Sequence, residues 1–314
     1  MKLGIGLADF SWPVPVSALG EKITSVACAA DEAGIDSLWV MDHFFQIRLT
    51  GLPPESPMPE AYATLGVLAG QTSRIKLGTL VTSVSYRHPG VLVKTVTTLD
   101  VLSGGRMYLG IGAGAPWNVE PAGPGTAWEA EGLGIPFASL ADRFDKLEEV
   151  LQIAHRMWRG DEAPYEGKHY QLVRPLNSPN SVQRPNPPVL VAGGGEKKTL
   201  RLVARYGDAC HLLDAPGTPY ESDLRHKLDV LRAHCDEAGR DYGQIEKTVG
   251  VQADLAADPD KGTGALLARL EELAGFGFDH AMVSARGPLT AETIAALAAI
   301  LPEVHALGAP GTGS

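Results

Sequence analysis

The chain has 314 residues, 44% of them hydrophobic and 20% charged, a composition that folds and can bury a core without metal or disulfide staples. Its 27 basic against 37 acidic residues leave a net charge of −10, which argues against a general nucleic-acid or anionic-membrane binder, since attraction to phosphate needs a positive face. The length leaves room for two domains or one large one.

A short β-branched run followed by a stretch with helical spacing recurs from end to end. Leu3 to Leu7 is the first run, and a helix from about Val16 follows, with Leu19, Ile23, Val26, Ala27 and Ala30 on one stripe and Gly34 ending it. Ser37 to Met41 is the second run and stops at Asp42-His43. Ile75 to Val81 precedes a helix that begins beside Pro89 and carries Val93, Val96 and Leu99. Met107 to Ile111 enters a Gly/Pro-rich loop before a helix over Leu140 to Trp158. Pro188 to Ala192 leads into Gly193-Gly194-Gly195 and a helix near Lys197 to Arg205. Ala209 to Leu213, Thr248 to Leu255 and His280 to Ser284 are the remaining runs.

Such nearly continuous apolar runs suit a parallel sheet covered on both faces. About eight strand-then-helix units predict an α/β fold, a (β/α)8 TIM barrel with extended loops on its C-terminal rim. A doubly wound sheet is the alternative. One domain is expected over 1–307, with insertions at about 44–60, 113–137 and 161–187 and a flexible tail over 308–314. Tyr165 to Val173 within the last insertion reads as a hairpin. The first two insertions follow strands, so in a barrel they lie on the rim where such enzymes build their sites.

Cys28, Cys210 and Cys235 are far apart and form no C-x-x-C pair, which suits a reducing compartment. The opening apolar run is too short for a signal peptide, and no stretch reaches the ~18 apolar residues of a membrane span. A cytoplasmic location is expected.

Asp42 and His43 end the second run. A histidine there can exchange a proton near neutral pH, and a backbone contact capping the strand is the plain alternative. His211 and His280, in or near strands, can face the barrel mouth, whereas His155, His226, His234 and His305 fall on helices and are expected to be solvated. Gly193-Gly194-Gly195-Glu196-Lys197 has the makings of a phosphate seat, because consecutive glycines let backbone N–H groups approach an anion, and a tight strand-to-helix turn with no ligand is the plain alternative. Gly110-Ile111-Gly112-Ala113-Gly114 is followed by Ala115 and misses the third glycine of a dinucleotide fingerprint. Walker-type, H-E-x-x-H and G-x-S-x-G motifs do not occur, and no metal spacing is present.

Read jointly, these segments resemble the luciferase-like monooxygenase superfamily, and within it the coenzyme F420-dependent oxidoreductases. The resemblance rests on Lys2-Leu3-Gly4-Ile5, Ser37 to His43, Ile75 to Thr82, Tyr86-Arg87-His88-Pro89, Leu99 to Arg106, Leu109 to Gly114, Arg143-Phe144-Asp145, and Gln183-Arg184-Pro185 running on to Gly193 through Leu200. It implies the same barrel, with the cofactor across the C-terminal mouth and His43 as ring-side acid/base. It implies a bulge at Leu80–Val81, often a non-proline cis peptide, behind the ring, and a phosphate seat at Gly193 to Gly195. Asp42, Thr79, Leu80, Val81, Thr82, Ala113 and Asn118 complete the implied cofactor site, with Glu129 as the other candidate for the loop position given to Asn118. Ala115 stands where sugar-phosphate dehydrogenases of this branch carry an acidic residue.

The expected activity is therefore hydride transfer between F420 and a small organic substrate, in the reducing direction from F420H2. An FMN-dependent monooxygenase and a non-catalytic flavin-binding barrel are the alternatives. No metal, nucleic acid or membrane partner is expected, and a homodimer is left open.

Overall fold

The computed structural model describes residues 1–47, 50–114, 126–218, 221–255 and 259–307. The expected tail, 308–314, lies outside the described residues. The chain opens with β1 (Lys2–Leu7), α1 (Leu19–Ala33), β2 (Ser37–Val40), α2 (Ala61–Gln71), β3 (Lys76–Thr79), β4 (Thr82–Ser83) and α3 (Pro89–Leu102). It continues through β5 (Leu109–Gly112), α4 (Thr126–Gly132), α5 (Leu140–Trp158), β6 (Tyr165–Glu166) and β7 (Gln171–Leu172). The last part holds β8 (Val189–Ala192), α6 (Thr199–Tyr206), β9 (Ala209–Asp214), α7 (Leu224–Ala238), β10 (Glu246–Ala253), α8 (Pro259–Phe276), β11 (His280–Ala285), α9 (Ala291–Ala299) and α10 (Leu301–Ala306).

Apart from the antiparallel hairpin β6–β7, the strands form one parallel sheet in the order β3-β2-β1-β11-β10-β9-β8-β5-β4. β3 falls within the third apolar run and β4 just after it, the first paired with β2 and the second with β5. A bridge between Leu77 and Met107 joins the two ends of the sheet into a barrel. Helices ring it, α1, α2, α3, α5, α6 and α7 packed in succession and α8, α9 and α1 likewise, which gives the (β/α)8 TIM barrel and excludes the doubly wound alternative.

Local chemistry accounts for the elements. α1 buries Ile23, Val26, Ala27 and Ala30 on the strands and ends at Gly34, whose φ of 85° suits glycine. Ser139 caps α5 by accepting from the Asp142 N–H, and Leu147, Val150, Leu151, Ala154 and Met157 form its buried stripe. Two boundaries shift. β5 begins at Leu109, not Met107, and α6 begins at Thr199 because a turn at 196–198 separates it from the glycines.

Inside the barrel the N-terminal half is filled. Trp39, Tyr108, Leu190, Ala209 and Met282 pack together with Leu80, Val81 and Ala192 against them. Below them runs a polar chain. Ser37 Oγ accepts from Trp39 Nε1 at 2.7 Å and lies 2.8 Å from His280 Nε2. His280 Nδ1 is 3.3 Å from Glu246, which also receives the Lys2 ammonium at 2.7 Å. Gly4 makes room for this: a Cβ there would stand 2.1 Å from Ser37 Oγ. Paired charges and hydrogen bonds are what such a buried cluster requires. Among the described residues no helix is long and apolar enough to cross a membrane.

Candidate active site

β2 delivers Asp42 and His43 to the C-terminal rim, and their side chains go to different partners. His43 Nδ1 lies 2.5 Å from Glu129 Oε2, with the histidine side chain 17% exposed and the glutamate 1%. Glu129, on α4, also accepts from the Tyr86 hydroxyl at 2.7 Å and from the Phe44 and Phe45 N–H groups at 2.7 and 2.9 Å. Burial pushes this carboxyl up, but the His43 hydrogen bond and charge, the Phe45 amide and the Tyr86 hydroxyl outweigh it and hold Glu129 below the usual range. The Phe44 and Tyr86 rings, 4.8 Å apart, and the Phe45 and Trp128 rings, 5.1 Å apart, pack β2's exit against α4.

Asp42 is 1% exposed, and both its oxygens are taken by Arg87, at 2.6 and 3.0 Å. Arg87 also bonds Glu60 and lies over the Tyr62 ring at 4.5 Å. Such a bidentate, stacked guanidinium fixes the strand end. Any contact of Asp42 with a cofactor would have to come from its backbone.

Between β3 and β4 the Leu80–Val81 peptide is cis, as the resemblance implies. Leu80 and Val81 are half-buried over the interior cluster, whereas Thr79 and Thr82 are buried with their hydroxyls 3.0 Å apart. Thr79 donates to the Gly110 carbonyl, and Tyr62 stands 2.7 Å from Thr82. Burial beside Asp42 pushes the Tyr62 phenol up to about 12, so it serves as a neutral hydrogen-bonding group. The apolar pair faces the mouth while the threonines lock the bulge from behind.

Gly193, Gly194 and Gly195 leave β8 exposed, and Gly193 has a φ of 122°. They precede the turn and lie outside the first turn of α6, so any anion held there would meet loop amides before helix ones. α5 carries an unexpected group. Arg143, near the start of α5, is 2% exposed, yet among the described residues its Nε and Nη1 find no hydrogen-bond partner, and the Phe137 ring lies under it, at 4.2 Å. Its neighbour Phe144 lies 5.1 Å from Lys198 Nζ in the turn after the glycines. A buried cation without a carboxylate is costly unless an anion completes it.

Ala113 follows β5 and is half-buried, packed against the core. Asn118, like Ala115, lies outside the described residues. The sequence reading undervalued Glu129, named only as an alternative loop match, and missed Tyr86, Arg87 and Arg143 as site groups. Pro89 at the first turn of α3, which His88 caps, was the available signal for the first two, since a capped helix start fixes the residues before it. The helix histidines are not all solvated: His155 Nε2 is 2.9 Å from the Tyr206 carbonyl and His234 Nε2 2.8 Å from that of Glu196.

Comparisons with known proteins agree with this geometry. The luciferase-like monooxygenase family model matches residues 1–294. An F420-dependent glucose-6-phosphate dehydrogenase of Kineococcus radiotolerans is 31% identical over 241 residues, 76% of this chain and 65% of that one. The enzyme of the same name from Beutenbergia cavernae is 31% identical over 253 residues, 78% of this chain and 69% of that one. The chain thus spans about two-thirds of the length of these curated relatives. In fold, it superposes on an F420-dependent secondary alcohol dehydrogenase with a TM-score of 0.75 at 19% identity, covering 97% of this chain and 99% of that one. A monooxygenase from Streptomyces bottropensis gives a TM-score of 0.75 at 20% identity, covering 97% and 100%. With the barrel, the bulge and the matched 294 residues in place, the chain belongs to the luciferase-like monooxygenase family.

Proposed function

We propose that this chain is an F420-dependent oxidoreductase, acting as an F420H2-dependent reductase on a small organic molecule. The observation that carries this is the clamp of His43 Nδ1 on buried Glu129, which fits a residue that handles one proton at one atom. The names of the curated relatives support F420 over FMN.

The residues present fit such a cofactor. Arg143 is a buried guanidinium short of an anion, and the Gly193–Gly195 backbone is open to one. Leu80 and Val81 offer an apolar bed for a planar ring. When bound, F420 supplies a carbon centre that takes or gives hydride, so oxygen activation is not required. Glu129, an anion throughout the neutral range, keeps the His43 proton on Nδ1 and leaves Nε2 to exchange the substrate's proton. Tyr86 and the two backbone amides fix Glu129 in turn, so the imidazole is oriented before the ligand arrives.

The same reading covers the coarser properties. The barrel is one domain over 1–307. Three free cysteines suit a reducing, cytoplasmic setting. Exposed Val67, Val91, Leu102 and Leu176 on and beside α2 and α3 favour a homodimer.

Equilibrium titration of the purified protein with F420 and with FMN tests the cofactor. We expect F420 to bind at least tenfold tighter, about 1.4 kcal/mol. Equal or reversed affinities would turn the reading to an FMN monooxygenase and leave the barrel intact.

A further inference from the structure

His211 is a second histidine of the barrel interior, on β9 between Ala209, which packs in the interior cluster, and Leu213, which is 44% exposed. Alternate residues of a strand share a face, so all three point inward. Across on β10 its register partner is Thr248, whose Oγ1 lies 2.8 Å from His211 Nδ1. That same hydroxyl donates to the Cys210 carbonyl at 2.9 Å. A hydroxyl has one hydrogen to give, so Oγ1 faces the imidazole with a lone pair and Nδ1 must carry the ring proton. Nε2 is then a bare acceptor.

Nothing among the described residues meets it. Nε2 lies over Gly250, where a Cβ would stand only 3.0 Å away, and the glycine keeps the space in front of it clear. Burial, and after it the neighbouring His280, pull the His211 pKa down to about 3, so the ring stays a neutral acceptor at working pH. The cation nearest along the strand is committed elsewhere: Arg269 binds both oxygens of Asp214 and also Glu272. Around the Nε2 lone pair stand Gly250 and, on the same face of β9, Leu213.

We propose that His211 Nε2 accepts a hydrogen bond from an uncharged O–H or N–H group on the ligand held in the barrel mouth, and so selects for molecules that present such a donor. It rests on the reading of that mouth as the place of hydride transfer. A ligand in the mouth cuts this acceptor off from water, so one that brings a donor satisfies it, whereas one without leaves it unpaired, which is how polar pockets discriminate strongly.

Nitrogen-15 NMR of histidine-labelled protein tests this on the wild-type chain. Without ligand, the His211 Nε2 resonance should be that of an unprotonated nitrogen with Nδ1 protonated. It should then move on saturation with F420, if the donor belongs to the cofactor, or only on adding 2-propanol at molar concentration to the F420-loaded protein, if it belongs to the substrate. His211→Leu should weaken whichever of the two ligands causes the shift by about tenfold and leave the other unchanged. A protonated Nε2 in the free protein would overturn the proposal. So would a resonance that stays in place with F420 bound and 2-propanol at molar concentration. Should F420 fail to bind while 2-propanol still moves the resonance, the cofactor reading falls and the His211 acceptor stands.

Discussion

The two ends of the site are built on opposite plans. At the β2 end every charged group has its partner: Glu129 receives four donors, and Asp42 receives two from Arg87. At the β8 end the glycines are bare, and on α5 Arg143 is buried with its Nε and Nη1 unpartnered among the described residues. The first end is organised before binding, as proton transfer at a fixed atom demands, since misplacement of the group costs rate. The second is left incomplete, as anchoring demands, because a cation already neutralised by a carboxylate would gain little from a ligand's anion.

Breaking the satisfied end should have the largest effect. His43→Phe is expected to lower kcat by at least ~10²-fold, the lower part of what general acid–base catalysis contributes, with F420 affinity held. Steady-state kinetics beside a cofactor titration checks this, and a variant that raises KM with kcat intact would make His43 a shape-giving residue only.

Breaking the incomplete end should separate stability from binding. Arg143→Met removes a charged hydrogen-bond donor to the ligand, and F420 affinity should fall by about tenfold to a hundredfold, as for a lost charge-assisted bond of about 1.5–3 kcal/mol. Thermal melting of the cofactor-free protein should not fall, because the substitution removes a buried cation whose Nε and Nη1 have no hydrogen-bond partner among the described residues. A joint loss of both would place Arg143 in the frame of the fold. Gly194→Val sharpens the same contrast more gently. A Cβ at 194 meets only Lys227 Cε, at 3.7 Å, and the backbone is not in the left-handed region, so the barrel should hold while F420 binding weakens severalfold. Unchanged affinity would assign the glycines to the turn alone.

How much of this was legible in the sequence follows the range of each interaction. The strands announced themselves as apolar runs, and α5 was read to the residue because Ser139 and the amphipathic stripe are local. Both strand ends bearing site residues were visible for the same reason. The Leu80–Val81 bulge was legible only through the family resemblance. The His43–Glu129 pair joins residues 86 apart through an insertion whose path no local pattern fixes. The start of α6 was placed early because glycines next to a helix invite reading them as its first turn, while the chain spends residues 196–198 on a turn of its own. Arg143 was seen as a motif letter; that it stands unpaired is a property of the packed molecule and of no single segment.

The pairing of β1 with β11 sets an order of events during synthesis. The first strand is complete by Leu7, yet the strand that covers one of its two edges begins only at His280. A growing chain therefore emerges with an unpaired edge that stays open until synthesis reaches His280. Such edges are templates for pairing with other chains. Domains of this size commonly pass through intermediates that expose them. A chain interrupted before residue 280 would keep two open edges, one on β1 and one on β10, and the last strand is thus the lock that turns a sticky open sheet into an edgeless one.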